Sequence, residues 1–276
     1  MSELSTLQAL VLGLIQGLTE FLPISSSGHL ALTQQLMGLE ADSPALLLFD
    51  VATHVATLAA VVLVFAQTFG RYLNRLVRES SRSFAGRRIA WHVAGYGVAA
   101  SIPTALMGLF LEDAFTSAFG EPRLIAVALA VTAALLWTSG RIPRPKRGWR
   151  RFSWWRAVLV GVAQGAAIFP GVSRSGATIC VALLAGLKRQ WAAELSFFIA
   201  APAIVGAGIM KLGKALAPPA SEPAAIGLAP LAVGALAAFV SGVVALKILL
   251  NTVRTGKLHL FCYYCWLLAL VTLIVF

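Results

Sequence analysis

The chain has 276 residues, 59% of them hydrophobic and only 12% charged, with a formal net charge of +11. Soluble domains run about 45–50% apolar and about 25% charged. The composition therefore excludes a soluble globular protein and predicts an all-α integral membrane protein, because backbone groups in lipid are satisfied inside helices. The basic excess excludes nothing by itself, but it sorts by membrane side and so predicts no nucleic-acid partner.

The first residues, MSELSTLQAL, carry no basic region and include Glu3, so no cleaved signal peptide is expected. Residues 4–38 form a long apolar stretch broken near its middle by "LPISSSGH". Spanning segments are predicted over 46–66, 89–110 and 123–139, the last at the short limit of the roughly 20 residues a crossing needs. Residues 155–187 form a second broken stretch, interrupted by "FPGVSRSGAT". Three more spans follow over 192–212, 228–250 and 259–276. Pro and Gly end helices, so each broken stretch reads as helix–loop–helix. It is either a broken span or a re-entrant hairpin. Cys180, Cys262 and Cys265 lie in apolar segments and read as packing residues.

Charge separates the two alternatives. With six spans and two re-entrant hairpins, 18 of the 22 basic residues fall on one side, mostly in the loops around Arg71–Arg88 and Arg141–Arg156. The opposite side holds Arg123, Lys211 and Lys214 with seven acids: Glu3, Glu40, Asp42, Glu112, Asp113, Glu121 and Glu222. The basic side is then cytoplasmic, and both termini lie outside. The chain reads as one polytopic domain, 1–276, with halves of approximately 1–139 and 150–276.

The halves carry a repeat. Placing 10–39 over 158–187 gives ten identities in thirty positions, including the run G-x-x-Q-G-x-x-x-F-x-x-x-S-x-S-G. Three spans separate the copies, so they enter from opposite faces, an inverted-topology repeat that brings broken helices together near the midplane. Ser26 and Arg174 occupy equivalent positions, as do Ser25 and Ser173, and Ser27 and Ser175. The pairs Gly13/Gly17 and Gly161/Gly165 have the spacing of helix contacts.

Ionisable groups at lipid depth usually mark function. Here they are Glu20, His29, Asp50, His54, Arg174 and Glu194. Asp50, His54 and Glu194 sit outside the breaks and read as supporting positions. Ser/Gly loops at helix N-termini offer N–H groups to an anion, and an arginine binds phosphate oxygens bidentately. Arg174, Ser25, Ser27, Ser173, Ser175 and Gly176 therefore form a predicted oxyanion site for a lipid phosphate. Ser26 is the predicted nucleophile, with His29 as its acid or base; a phospho-histidine on His29 is the alternative route. Glu20 would orient His29 or hold a divalent cation. Gln16 is either a packing residue or a ligand. A transporter or flippase of a lipid phosphate fits the same plan of broken helices.

"QGLTEFLPISSSGH" (16–29) and "PGVSRSGAT" (170–178) resemble the two signature motifs of the undecaprenyl-diphosphate phosphatase family, the bacitracin-resistance type. The likeness extends to "FDVATHVATLAAV" (49–61) and "AAELSFFIAAPAIVGA" (192–207). It implies a hydrolase that converts undecaprenyl diphosphate to the monophosphate plus inorganic phosphate, recycling the carrier for peptidoglycan synthesis at the bacterial inner membrane. It implies six spans, two inverted re-entrant pairs, a site open to the periplasm, and support by Mg²⁺ or Ca²⁺. The resemblance puts the acidic motif on Gln16 and Glu20, and the essential serine, histidine and arginine on Ser26, His29 and Arg174. Some members carry glutamate where this chain has Gln16, so Asp50 or a substrate oxygen would have to complete a metal site. The lipid substrate and the surrounding membrane are the expected partners, and the sequence leaves a homodimer open.

Overall fold

A computed structural model describes residues 4–40, 43–78, 84–143, 145–216 and 226–276. Glu3, Asp42, Arg82, Arg144 and Glu222, which enter the charge count above, lie outside the described residues. Among the described residues the chain is helical, and its only β contact is an isolated bridge between Arg147 and Leu187.

The first broken stretch forms α1 (Thr6–Phe21) and α2 (Ser26–Leu36). Ser5 opens α1 with a capping box to Gln8. Leu22 closes it in an extended conformation, φ −60° and ψ 144°. Pro23 is the reason: a residue before proline is pushed out of the α region. The helices α3 (Pro44–Arg78), α4 (Phe84–Phe110), α5 (Glu112–Phe119) and α6 (Pro122–Ser139) follow. The second broken stretch forms α7 (Trp154–Ala166) and α8 (Arg174–Leu184), and α9 (Arg189–Leu216), α10 (Leu228–Thr255) and α11 (Phe261–Val275) complete the chain.

Six segments are long and apolar enough to cross a membrane: Pro44–Thr68, Trp91–Phe110, Pro122–Ser139, Arg189–Ala215, Leu228–Thr255 and Leu258–Val275. They coincide with the six predicted spans, so this is a multi-pass integral membrane protein. The helices of the broken stretches are too short to cross. At 1.5 Å per residue the 16 residues of α1 reach about 24 Å, against a hydrocarbon core of about 30 Å. Two features differ from the sequence reading. The arginine-rich stretch after the first span stays helical to Arg78, because arginine is a good helix former outside the lipid. The short helix α5 fills a connection that reads as a loop.

The glycine pairs set the packing. A side chain on Gly13 or Gly17 would strike Gly234, Ala238 and Ser241 of α10. One on Gly161 or Gly165 would strike Ala100 and Met107 of α4. Each broken stretch thus leans on a spanning helix of the other half: α1 on α10, and α7 on α4. The contacts are backbone-close, as small-residue pairs allow. They are tied further by Ser241, whose Oγ donates to Leu14 O at 3.3 Å, and by Thr104, whose Oγ1 donates to Gly161 O at 3.0 Å. Phe21 at the end of α1 packs edge-on against Phe197 of α9, 5.9 Å between centroids. All three cysteines are buried and free, consistent with packing.

Gly17→Leu is expected to lose about 1–3 kcal/mol or more by overpacking against backbone. Gly206→Ala meets nothing within 4 Å and should leave the protein unchanged or slightly steadier. Thermal unfolding of the two variants in detergent separates them.

Candidate active site

The two breaks touch. Ser25 is the N-cap of α2; its Oγ accepts from Gly28 N at 3.3 Å and from Gly171 N, in the other break, at 3.1 Å. Ser25 adopts φ 69°, the one positive φ among the described non-glycine residues. Such a backbone costs roughly 1–3 kcal/mol and persists where surrounding bonds hold it. Gly171 has φ 97°, and a side chain there would strike Ile125 O and Ala128. Only glycine fits that crossing. From the second break, Ser175 Oγ donates to Leu22 O at 3.4 Å. Thr132 of α6 pins the same loop: it accepts from Ser173 N and donates to Gly171 O, both at 3.0 Å.

The breaks are built alike. Ser173 caps α8 by accepting from Gly176 N at 3.2 Å, as Ser25 caps α2. Ser25 lies 3.3 Å from Ser27 and Ser173 lies 3.3 Å from Ser175, oxygen to oxygen. Four of the predicted phosphate ligands thus have loop-building duties.

Glu20, near the end of α1, is the hub. Its Oε1 accepts from Arg174 Nη2 at 2.6 Å. Its Oε2 accepts from Ser26 Oγ at 2.7 Å and from Gln16 Nε2 at 3.1 Å. His54 Nε2 stands 3.9 Å from the same oxygen. Glu20 is buried, and a buried carboxylate needs this density of donors. Ser26 and Arg174, equivalent in the repeat, therefore meet on one carboxylate.

Above this hub lies a cavity of about 700 Å³. Glu20, Ser25, Ser26, Ser27, Ser173, Arg174, Asp50, His54 and Lys211 all line it, with apolar residues that include Leu30, Leu47, Phe119 and Ile204. Ser175 and Gly176 are packed into the loop contact and do not line it. His29 also lies outside the lining. Its Nδ1–H donates to Ser25 O at 2.8 Å, and its Nε2 accepts from Tyr264 OH at 2.7 Å. The sequence reading gave Ser26's proton to His29; here Ser26 bonds to Glu20, and both ring nitrogens of His29 are engaged elsewhere. Glu194 is remote from this constellation and accepts from Gln190 Nε2 at 2.9 Å.

A divalent cation requires oxygen ligands. Near the hub the chain offers the Glu20 carboxylate and Gln16 Oε1, which is buried and accepts no hydrogen bond. Among the described residues no three His, Cys, Asp or Glu side chains cluster to hold an ion. This donor set is too small for an all-protein cage. It fits the manner of Mg²⁺, which takes one or two protein oxygens and fills its shell with water and substrate phosphates.

Sequence reasoning underweighted Asp50 and His54, which stand one helical turn apart on α3. His54 Nδ1–H donates to Asp50 O at 2.7 Å, which turns Nε2 toward the hub. The i, i+4 spacing of two ionisable groups on a spanning helix was the available signal. Lys211 pairs with Asp50 Oδ2 at 2.7 Å and counted in the sequence only as a flanking charge. Nothing in the sequence marked Tyr264.

Taken together, these features define a polytopic helical membrane protein in which two broken helices join around a buried carboxylate–arginine pair and a serine. The chain belongs to the family described as bacitracin resistance protein BacA, matched over residues 9–271. It is similar to an undecaprenyl-diphosphatase of Alkaliphilus metalliredigens, 38% identical over 268 residues, covering 95% of this chain and 96% of that one. An undecaprenyl-diphosphatase of Carboxydothermus hydrogenoformans is 38% identical, covering 98% of this chain and 97% of that one. One from Rubrobacter xylanophilus is 41% identical, covering 96% of each.

Arg174→Gln strands Glu20 as a buried unpaired charge and should cost about 3 kcal/mol. Adding Glu20→Gln removes the stranded charge, so the double variant should be steadier than Arg174→Gln alone. Thermal unfolding in detergent gives the order.

Proposed function

We propose that this chain hydrolyses undecaprenyl diphosphate to undecaprenyl phosphate and inorganic phosphate, recycling the lipid carrier of peptidoglycan synthesis in the bacterial inner membrane. The observation that carries the reading is the joint hold of Ser26 and Arg174 on Glu20 inside a cavity also lined by apolar residues. A nucleophile, its base and an anion anchor stand together, beside room for a lipid. The family and its undecaprenyl-diphosphatase relatives give the substrate.

The terminal phosphate enters against Arg174. The guanidinium spends Nη2 on Glu20 and has further N–H groups to clamp phosphate oxygens. Ser27 and the first turn of α2, which line the cavity, add donors for the phosphate. Ser26 Oγ attacks the terminal phosphorus while Glu20 takes its proton. The Oγ–P bond forms, the bridging P–O bond breaks, and the lipid monophosphate leaves with the proton passed on from Glu20. Water then attacks the phosphoserine; Glu20 receives the water's proton and returns it to Ser26 as the Oγ–P bond breaks. His29 positions this centre by fixing the Ser25 carbonyl, and so the turn that aims Ser26. When bound, a divalent cation, Mg²⁺ or Ca²⁺, held by Glu20 and Gln16 neutralises phosphate charge.

The same reading covers topology. The two short hairpins are re-entrant and inverted, dipping in from opposite faces. Their touching tips support this, as does the reciprocal packing of α1 on α10 and α7 on α4. The charge partition supports cytoplasmic basic loops and periplasmic termini, and in this reading the cavity opens to the periplasm.

Ser26→Ala should lower phosphate release from a polyprenyl diphosphate by ~10³-fold or more. Acid-quenched wild-type protein given substrate labelled in the terminal phosphate should carry label on Ser26. Label on His29 in the Ser26→Ala variant would assign the covalent step to the histidine instead.

A further inference from the structure

Glu20–Arg174 and Asp50–Lys211 are both acid–cation pairs on this cavity, and the chemistry above uses the first. Glu20–Arg174 serves the phosphate that is removed. Asp50–Lys211 stands on the same cavity wall, Nζ to Oδ2 at 2.7 Å. Resting on the hydrolase reading, we propose that Lys211 is the anchor for the second phosphate, the one that stays on the lipid. The cavity would then recognise a diphosphate by gripping it with two cations.

Three observations carry this. The first is spacing. His54 bridges the pairs along α3: its Nε2 is 3.9 Å from Glu20, and its Nδ1–H bonds the Asp50 carbonyl. Asp50 and His54 are one helical turn apart, about 5.4 Å along the axis. Arg174 and Lys211 therefore stand on either side of His54 on the wall of one cavity, where two phosphates in series would each meet a charged hydrogen bond. The second is electrostatics. Asp50 is buried, and an unpaired carboxylate there would repel a diphosphate. Lys211 cancels that charge in the empty cavity and keeps the ammonium at the wall. The third is access to the cation. The Lys211 side chain is 35% exposed, against 18% for Arg174. A flexible, compact ammonium suits a phosphate that must be held and then let go with the product. Lys214, three residues on, lines the same cavity.

The test compares inorganic pyrophosphate and orthophosphate as ligands of the full-length protein in detergent. Both are read as inhibitors of phosphate release from a short-chain polyprenyl diphosphate, and as stabilisers in thermal unfolding. Wild type should bind pyrophosphate at least ~10-fold more tightly than orthophosphate, a difference of one charged contact. Lys211→Gln should bring the ratio close to one while orthophosphate binding is retained, and should raise KM for the diphosphate more than it lowers kcat. A lysine that only held the fold would weaken both ligands together. The double variant Asp50→Asn, Lys211→Gln leaves no unpaired buried charge and carries the same expectation, so a misfolded single variant does not void the test. An undiminished pyrophosphate preference in the folded double variant overturns the proposal. If the pyrophosphate preference in the unfolding assay is present in wild type and lost in the double variant, yet no phosphate is released, the hydrolase reading fails and the second anchor stands.

Discussion

The bond between Glu20 and Arg174 is the constraint on which the rest of the structure turns. Each residue sits where lipid-depth sequence makes a lone charge expensive. They lie 154 positions apart, and they meet at 2.6 Å. A buried carboxylate needs a charged partner, and the guanidinium that lines the cavity beside it supplies one. That requirement brings the end of α1 to the start of α8, and so brings two helix breaks to one place. The breaks then supply what a continuous helix cannot: unspent N–H groups, serines at the cap positions, and a glycine crossing at Gly171.

Equivalent positions in the two broken stretches show how one scaffold carries unequal chemistry. Ser25 and Ser173 do the same job, each capping the helix that follows. One step along, the copies part: Ser26 brings a hydroxyl and Arg174 a charge, and both land on Glu20. Gln16 and Gln164 part in the same way. Gln16 donates to Glu20, whereas Gln164 donates to Thr104 Oγ1 and Ile199 O and serves packing. The architecture is shared between the halves, while the polar groups on Glu20 gather from both.

Much of this was legible before any coordinates. The six spans follow from run length and apolarity alone, and the breaks follow from Pro23, Pro170 and the glycines and serines around them. The repeat offset already paired Ser26 with Arg174. What stayed hidden depends on rotation and depth. Whether His29 points into the cavity or away is fixed by Ser25's left-handed backbone and by Tyr264 from α11, 235 residues distant. Sequence spacing carries no record of either. His54 and Asp50 looked peripheral because they lie outside the breaks, yet α3 passes beside Glu20 and turns that face inward. Lys211 looked like a membrane-flanking charge, and only the approach of α9 to α3 makes it the partner of Asp50.

The most direct measurement is an experimental structure of the protein with a methylene-bridged analogue of its diphosphate lipid, in which the bridging oxygen is replaced and hydrolysis is blocked. The account predicts the terminal phosphonate against Arg174, with its phosphorus in line with Ser26 Oγ at about 3–3.5 Å. An analogue seated elsewhere, with Ser26 turned away and the Glu20–Arg174 pair undisturbed, would contradict it.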